Sequence, residues 1–265
     1  MGRHASPVTR QSDRHLSPVT RHSPCDIRIG TSGWHYKHWV GPFYPDGLRA
    51  DKMLSWYVDR FDTVEINNSF YRLPTEQTFT AWRRNTPPPF CFAVKASRYI
   101  SHRKKLKDPE PALARFLPLV ERLGPKLGPI LFQLPPRWSC NLDRLNAFLD
   151  VLPSSHRYTF EFRDPSWHGP AVYRALRRRN AAFCIYELAG FESPYEVTAD
   201  FAYIRLHGPE GKYGGDYSAV ALGEWARRID RWRSALQAVY VYFDNDQAAY
   251  AAKNAAELKR LVQKQ

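Results

Sequence analysis

Eight short β-rich runs recur along this chain, at 27–31, 63–67, 90–96, 129–134, 158–163, 182–187, 201–207 and 238–243. Their starts lie about 30 residues apart on average, the length of a βαβ unit. Between them, apolar residues at three- and four-residue spacing predict amphipathic helices over 48–60, 75–84, 111–123, 142–151, 170–179, 219–236 and 247–262. The sixth gap, 188–200, is too short for a full helix and is interrupted by Gly190 and Pro194. Eightfold alternation of this kind predicts an α/β fold, a single (β/α)8 TIM-type barrel over residues 26–265 with a degenerate sixth helix. The competing open, doubly wound sheet usually carries a glycine-rich phosphate loop after its first strand. Here Gly30-Thr-Ser-Gly33 does not match G-x-G-x-x-G.

Residues 1–25 are of another kind. RHASPVTRQS (3–12) and RHLSPVTRHS (14–23) form a direct repeat, rich in Ser, Pro, Arg and His and nearly free of large apolar groups. Such a segment cannot bury enough surface to offset its ordering entropy, so a disordered basic tail is expected. The N-terminal residues are charged with no apolar run behind them, so no secretory signal is expected. No stretch approaches the roughly 18 apolar residues of a membrane span, and no membrane partner is expected. The four cysteines form no C-x-x-C pair, which suits a reducing, cytoplasmic setting better than a disulfide framework or zinc finger. Net charge is +13, which points to phosphate-bearing partners: a nucleic acid, a nucleotide or a phosphorylated small molecule.

Alternation within the strands locates a polar mouth. One parity is apolar, as at Phe160 and Phe162, and should face the helices. The other parity turns polar towards each carboxyl end, the end at which barrels of this class carry their sites. It supplies Glu65 and Asn67, Lys95, Gln133, Glu161 and Arg163, Glu187, Arg205 and His207, then Tyr242 and Asp244. A barrel held by packing alone would place Val, Ile and Leu there, because burying a charge costs several kcal/mol unless it is paired. Two readings follow: a salt-bridge lattice that closes the barrel, or a ligand site. The loops leaving the same ends add Trp34, Tyr71, His102, Trp167 and Asn245. Aromatic faces with interleaved bases suit stacked nucleobases or sugars carrying phosphates.

The motifs IGTSGW (29–34), VEINNSFYRLP (64–74), FAVKAS (92–97), QLPP (133–136), FEFRDPSW (160–167), YIRLHG (203–208) and YFDND (242–246) occur in this order. Through them the chain resembles the domain-of-unknown-function family 72, the YecE-like proteins, from residue 27 onward. The resemblance implies a (β/α) barrel and no established activity. The chain departs from the family's usual residues at Ser101 (threonine), Asp244 (asparagine) and Glu187 (aspartate).

Three chemistries fit these residues. In the first, Lys95, Arg163 and Arg205 clamp a phosphate while Glu161 or Glu65 works with His207 as a general acid/base pair, with no cofactor or metal. In the second, Glu161, Glu187, His207 and Asp244 hold a metal for phosphodiester hydrolysis, as in xylose-isomerase-like barrels, although the nearby bases would repel a cation. In the third, the mouth binds nucleic acid or a nucleotide without turnover. Lys95 also has the chemistry for a Schiff base, but nothing else in the sequence marks an aldolase.

Overall fold

The computed structural model describes residues 24–211 and 213–264, so the repeat-bearing segment 1–23 and its expected disorder lie outside the described residues. Eight parallel strands make the barrel: β1 Asp26–Thr31, β2 Thr63–Ile66, β3 Cys91–Lys95, β4 Leu127–Gln133, β5 Tyr158–Glu161, β6 Ala182–Leu188, β7 Phe201–Leu206 and β8 Ala238–Phe243. Each pairs with its sequence neighbours, and β8 returns to β1 over the full register Asp26↔Ala238 to Thr31↔Phe243. The last seam, between β1 and β2, is held by a bridge from Ser32 to Glu65 and by the Gly33 N–H donating to the Glu65 carbonyl at 2.8 Å. The close approach needs Gly30, since a Cβ there would overlap the carbonyl oxygen of Thr63.

Seven helices follow the expected gaps: α1 Met53–Val58, α2 Glu76–Arg84, α3 Glu110–Val120, α4 Leu142–Asp150, α5 Pro170–Arg178, α6 Ala219–Arg233 and α7 Tyr250–Gln263. Three are capped by side chains. Thr75, Asn141 and Ser218 each accept a backbone N–H from the first turn of their helix. The sixth gap holds no helix. It makes a two-residue antiparallel strand, Phe191–Glu192, that folds back on β6. Ser193 Oγ and Thr198 Oγ1 then accept the N–H groups of Tyr186 and Phe183, which turns the segment into a hydrogen-bonded strap.

Alternation along the strands divides the core in two. Outside, Phe92, Phe132, Phe160 and Phe162 meet the helices, and burying each such side chain stabilises the fold by roughly 1.5–3 kcal/mol. Inside, a separate cluster of Ala93, Leu131, Cys184, Phe201, Tyr203, Tyr240 and Tyr242 fills the lower barrel. The tyrosine-rich plug supports the mouth from beneath.

Candidate functional site

Just above the plug, one guanidinium gathers carboxylates from three strands. Arg205, on β7, is fully buried. Its Nη2 donates to Glu65 Oε1 and to Asp244 Oδ2, and its Nη1 to Glu161 Oε2, each at 2.8 Å. Its Nε donates to Glu65 Oε2 at 3.0 Å. Glu65 also accepts from the hydroxyls of Ser32 and Tyr203, and Glu161 pairs with Arg163. Burial alone would push Glu161 upward, but Arg163 and Arg205 hold its carboxyl well below the usual carboxylate range.

His207 completes this layer. Its Nε2 lies 2.9 Å from Arg163 Nη2 and 3.3 Å from Arg205 Nη1. A guanidinium can only donate, so Nε2 is the acceptor and the proton sits on Nδ1. Nδ1 in turn lies 2.9 Å from Asp244 Oδ2, although its hydrogen-bond geometry there is poor. Burial and the field of Arg205 lower the His207 pKa to about 4, so the ring is neutral at pH 7.

A cleft of about 400 Å³ opens above the lattice. It is lined by Trp34, His35, Tyr36, Asn67, Asn68, Tyr71, Lys95, Tyr213, Asp244 and Asp246. Lys95 is only 5% exposed. Its ammonium sits over the ring of Phe70 at 4.4 Å, while the nearby carboxylates are taken by Arg163, Arg205 and His207. Burial, together with the charge of Arg205, lowers the Lys95 pKa to about 8. Asp246, which also lines the cleft, is raised by burial and by the neighbouring Asp244. The Asn67 carbonyl oxygen is buried with no partner.

Of the residues expected at the mouth, Trp34, Asn67, Tyr71, Lys95 and Asp244 line this cleft. Glu65, Glu161, Arg163, Arg205 and His207 instead satisfy one another below it. His102 stands beside the cleft, half-buried and edge-on to Phe70, and Gln133 is half-buried in register with Glu161.

Four expectations need correcting. Glu187 faces outward and accepts from Trp225 Nε1 of α6, because Cys184 and Tyr186 set the inward parity of β6. The four proposed metal ligands therefore do not converge, and no group of three or more metal-ligating side chains exists among the described residues. Trp167 is fully buried against Phe162 in the outer core, because the turn Pro165–Trp167 folds it under the strand end. Asn245 also faces outward, where its amide donates to Gly215 O and to Asn254 of α7. Tyr242 lies one layer too deep, with its hydroxyl on Thr63.

Sequence reasoning passed over Ser32, Tyr203, Tyr213 and Asp246. Tyr203 was findable, since it has the inward parity of β7 two residues before Arg205. Tyr213 comes from the loop that follows β7, which has no periodicity to aim a side chain, and it folds back to the His207 ring at 5.6 Å between centroids.

Comparison with known proteins agrees with this architecture. The family described as "Protein of unknown function DUF72" matches residues 28–265. UPF0759 protein YecE of Escherichia coli (strain K12) is 32% identical over 142 residues, 53% of this chain and 50% of YecE. The chain thus spans about half the length of that relative. UPF0759 protein YunF of Bacillus subtilis is 25% identical over 272 residues, 89% of this chain and 94% of YunF. The crystal structure of a DUF72 family protein from Thermotoga maritima superposes with a TM-score of 0.79 at 28% identity, covering 90% of this chain and 99% of that one. By sequence motifs, family match and fold together, the chain belongs to the DUF72 family.

Proposed function

We propose that the cleft is the active site of an enzyme acting on a small phosphate-bearing molecule by metal-independent acid/base chemistry. The observation that carries this reading is Lys95, a buried amine that lines the cleft with no carboxylate within ion-pair distance among the described residues. With a pKa of about 8 it exchanges protons near neutrality. Asp246, which lines the same cleft, is its counterpart in this reading. Glu65 and Glu161 are held by hydrogen bonds and ion pairs, His207 Nε2 is taken by two guanidinium groups, and Arg163 and Arg205 are paired with these carboxylates. We place them in support of the cleft. Trp34, Tyr36 and Tyr71 offer faces for a sugar or base, and Asn67 and Asn68 offer amides. We take the protein to act in the cytoplasm, where its four free cysteines would stay reduced.

The test is a thermal-shift and native mass-spectrometry screen of sugar phosphates and nucleotides in chelator-treated buffer. At least one should raise the melting temperature of the parent, and Lys95→Met and Asn67→Ala should abolish that shift. A shift that both variants retain, or none in the parent, overturns the reading.

A nucleic-acid partner is a second reading, favoured by exposed Tyr71 and Tyr99 beside the basic segment 98–107. Part of that segment is already engaged, since Lys104 pairs with Asp108 and Lys105 sits over Trp138. Binding of a single-stranded oligonucleotide should weaken with salt, and neutralising Arg103, Lys104, Lys105 and Lys107 together should flatten that dependence. An unchanged slope rejects this partner.

A further inference from the structure

We propose that Lys95 is a covalent catalyst, condensing with the aldehyde or ketone of its substrate to form an imine, so that the substrates of this cleft are carbonyl compounds bearing an anionic group. The inference rests on the cleft being an active site and adds to it the substrate class. Three features of the geometry carry it.

The amine is buried against an aromatic ring at the floor of a cleft large enough for a small metabolite. It feels the charge of a second cation, Arg205, and no carboxylate among the described residues lies within ion-pair distance of it. An amine kept to bind an anion electrostatically is best left solvated and fully charged. One kept as a nucleophile is desolvated and set next to another cation, which favours its neutral form. Lys95 has the second environment. The charged or titratable groups that bear on it are Arg205, Glu161, Asp244 and Glu65, with His102 across Phe70.

The step balances with the amine and solvent alone. Neutral Lys95 Nζ attacks the carbonyl carbon, a C–N bond forms, and the C=O π pair moves to oxygen, which takes a proton. The resulting carbinolamine loses water as the C–O bond breaks, the nitrogen lone pair closes the C=N bond, and the iminium keeps one N–H. Two protons reach the oxygen. One is shed by the attacking nitrogen, and the other comes from solvent reaching the cleft. The iminium carries the same positive charge as the ammonium it replaces, so an anionic substituent keeps its electrostatic partner throughout.

The experiment is reductive trapping of the full chain with cyanoborohydride and pyruvate, glyoxylate or dihydroxyacetone phosphate, followed by peptide mass spectrometry. At pH 7.5 an amine with a pKa of about 8 is neutral on the order of a hundred times more often than an ordinary lysine. Lys95 should therefore carry the reduced adduct of at least one probe while exposed Lys37 and Lys107 remain nearly unmodified. Adduct spread evenly over exposed lysines, or absence of Lys95 adducts with all three probes, overturns the imine. If the phosphate-ligand screen still succeeds in that case, the active-site reading stands without covalent chemistry.

Discussion

Glu161 and Lys95 stand on strands β5 and β3 of the same barrel, both buried and both charged in water, yet their surroundings have opposite character. Glu161 is tied to Arg163 and Arg205, and its charge is stabilised. Lys95 rests on an aromatic ring beside a like charge, and its charge is discouraged. The lower layer is satisfied internally and closes the barrel; the upper layer is left wanting a partner. A buried polar group with all its bonds made is explained by architecture, whereas one without them costs stability and calls for another reason to be there. The lattice reading of the polar mouth thus describes the lower layer, and the proposed ligand site lies in the upper one.

The largest effect should come from removing the hub of the lower layer. Arg205→Met leaves Glu65, Glu161 and Asp244 buried with their shared cation gone, and should cost about 3–5 kcal/mol in urea unfolding. Near-parental stability would mean that the lattice is not structural, and the comparison would collapse.

Acid should erode the same layer more gradually. His207 has a folded pKa of about 4 against an ordinary 6.5, so between these values the unfolded chain binds a proton that the folded chain refuses. Stability should fall as pH drops through that window, by up to about 1.4 kcal/mol per pH unit for one proton. Glu161, depressed in the folded state, should add a further loss below its ordinary value of 4.5. His207→Asn should remove the first phase and leave the second, as followed by urea midpoints from pH 7 down to 4. A parallel fall in parent and variant would show that His207 is not held neutral.

The smallest effect on stability belongs to the cleft. At pH 7 Lys95→Met should unfold within about 1 kcal/mol of the parent, because it deletes a buried charge that has no close partner. The folded Lys95 pKa, about 8, lies below its ordinary 10.5, so between these values the unfolded chain holds the extra proton and parental stability gains with pH. The variant should lack this gain, and the difference between the two melting curves isolates it. A loss of several kcal/mol at pH 7 would move Lys95 into the lattice.

Much of the mouth was readable from alternation alone. Glu65, Asn67, Lys95, Glu161, Arg205 and Asp244 all have the parity opposite to an apolar partner on the same strand, and a two-residue period leaves them one direction to point. The same rule misplaces a residue wherever the parity is misjudged by one. Glu187 follows Tyr186, and both sides of β6 are rich in polar or aromatic groups, so the pattern there is ambiguous. Trp167 and Asn245 lie beyond strand ends, where turn geometry replaces alternation and no period exists to extrapolate.

Strand recurrence, helical spacing and an unhelical sixth gap are properties of consecutive residues, and local sequence was sufficient to determine the barrel and which end carries its charges. Whether a given charge is satisfied depends on atoms far apart in the chain: Arg205 meets Glu65 across 140 positions and Glu161 across 44. That pairing is decided only when the strands close into a ring. Coulomb attraction and desolvation both vary steeply over a few ångströms, so tertiary structure alone could separate the carboxylates that hold the barrel together from the lysine left facing the cleft.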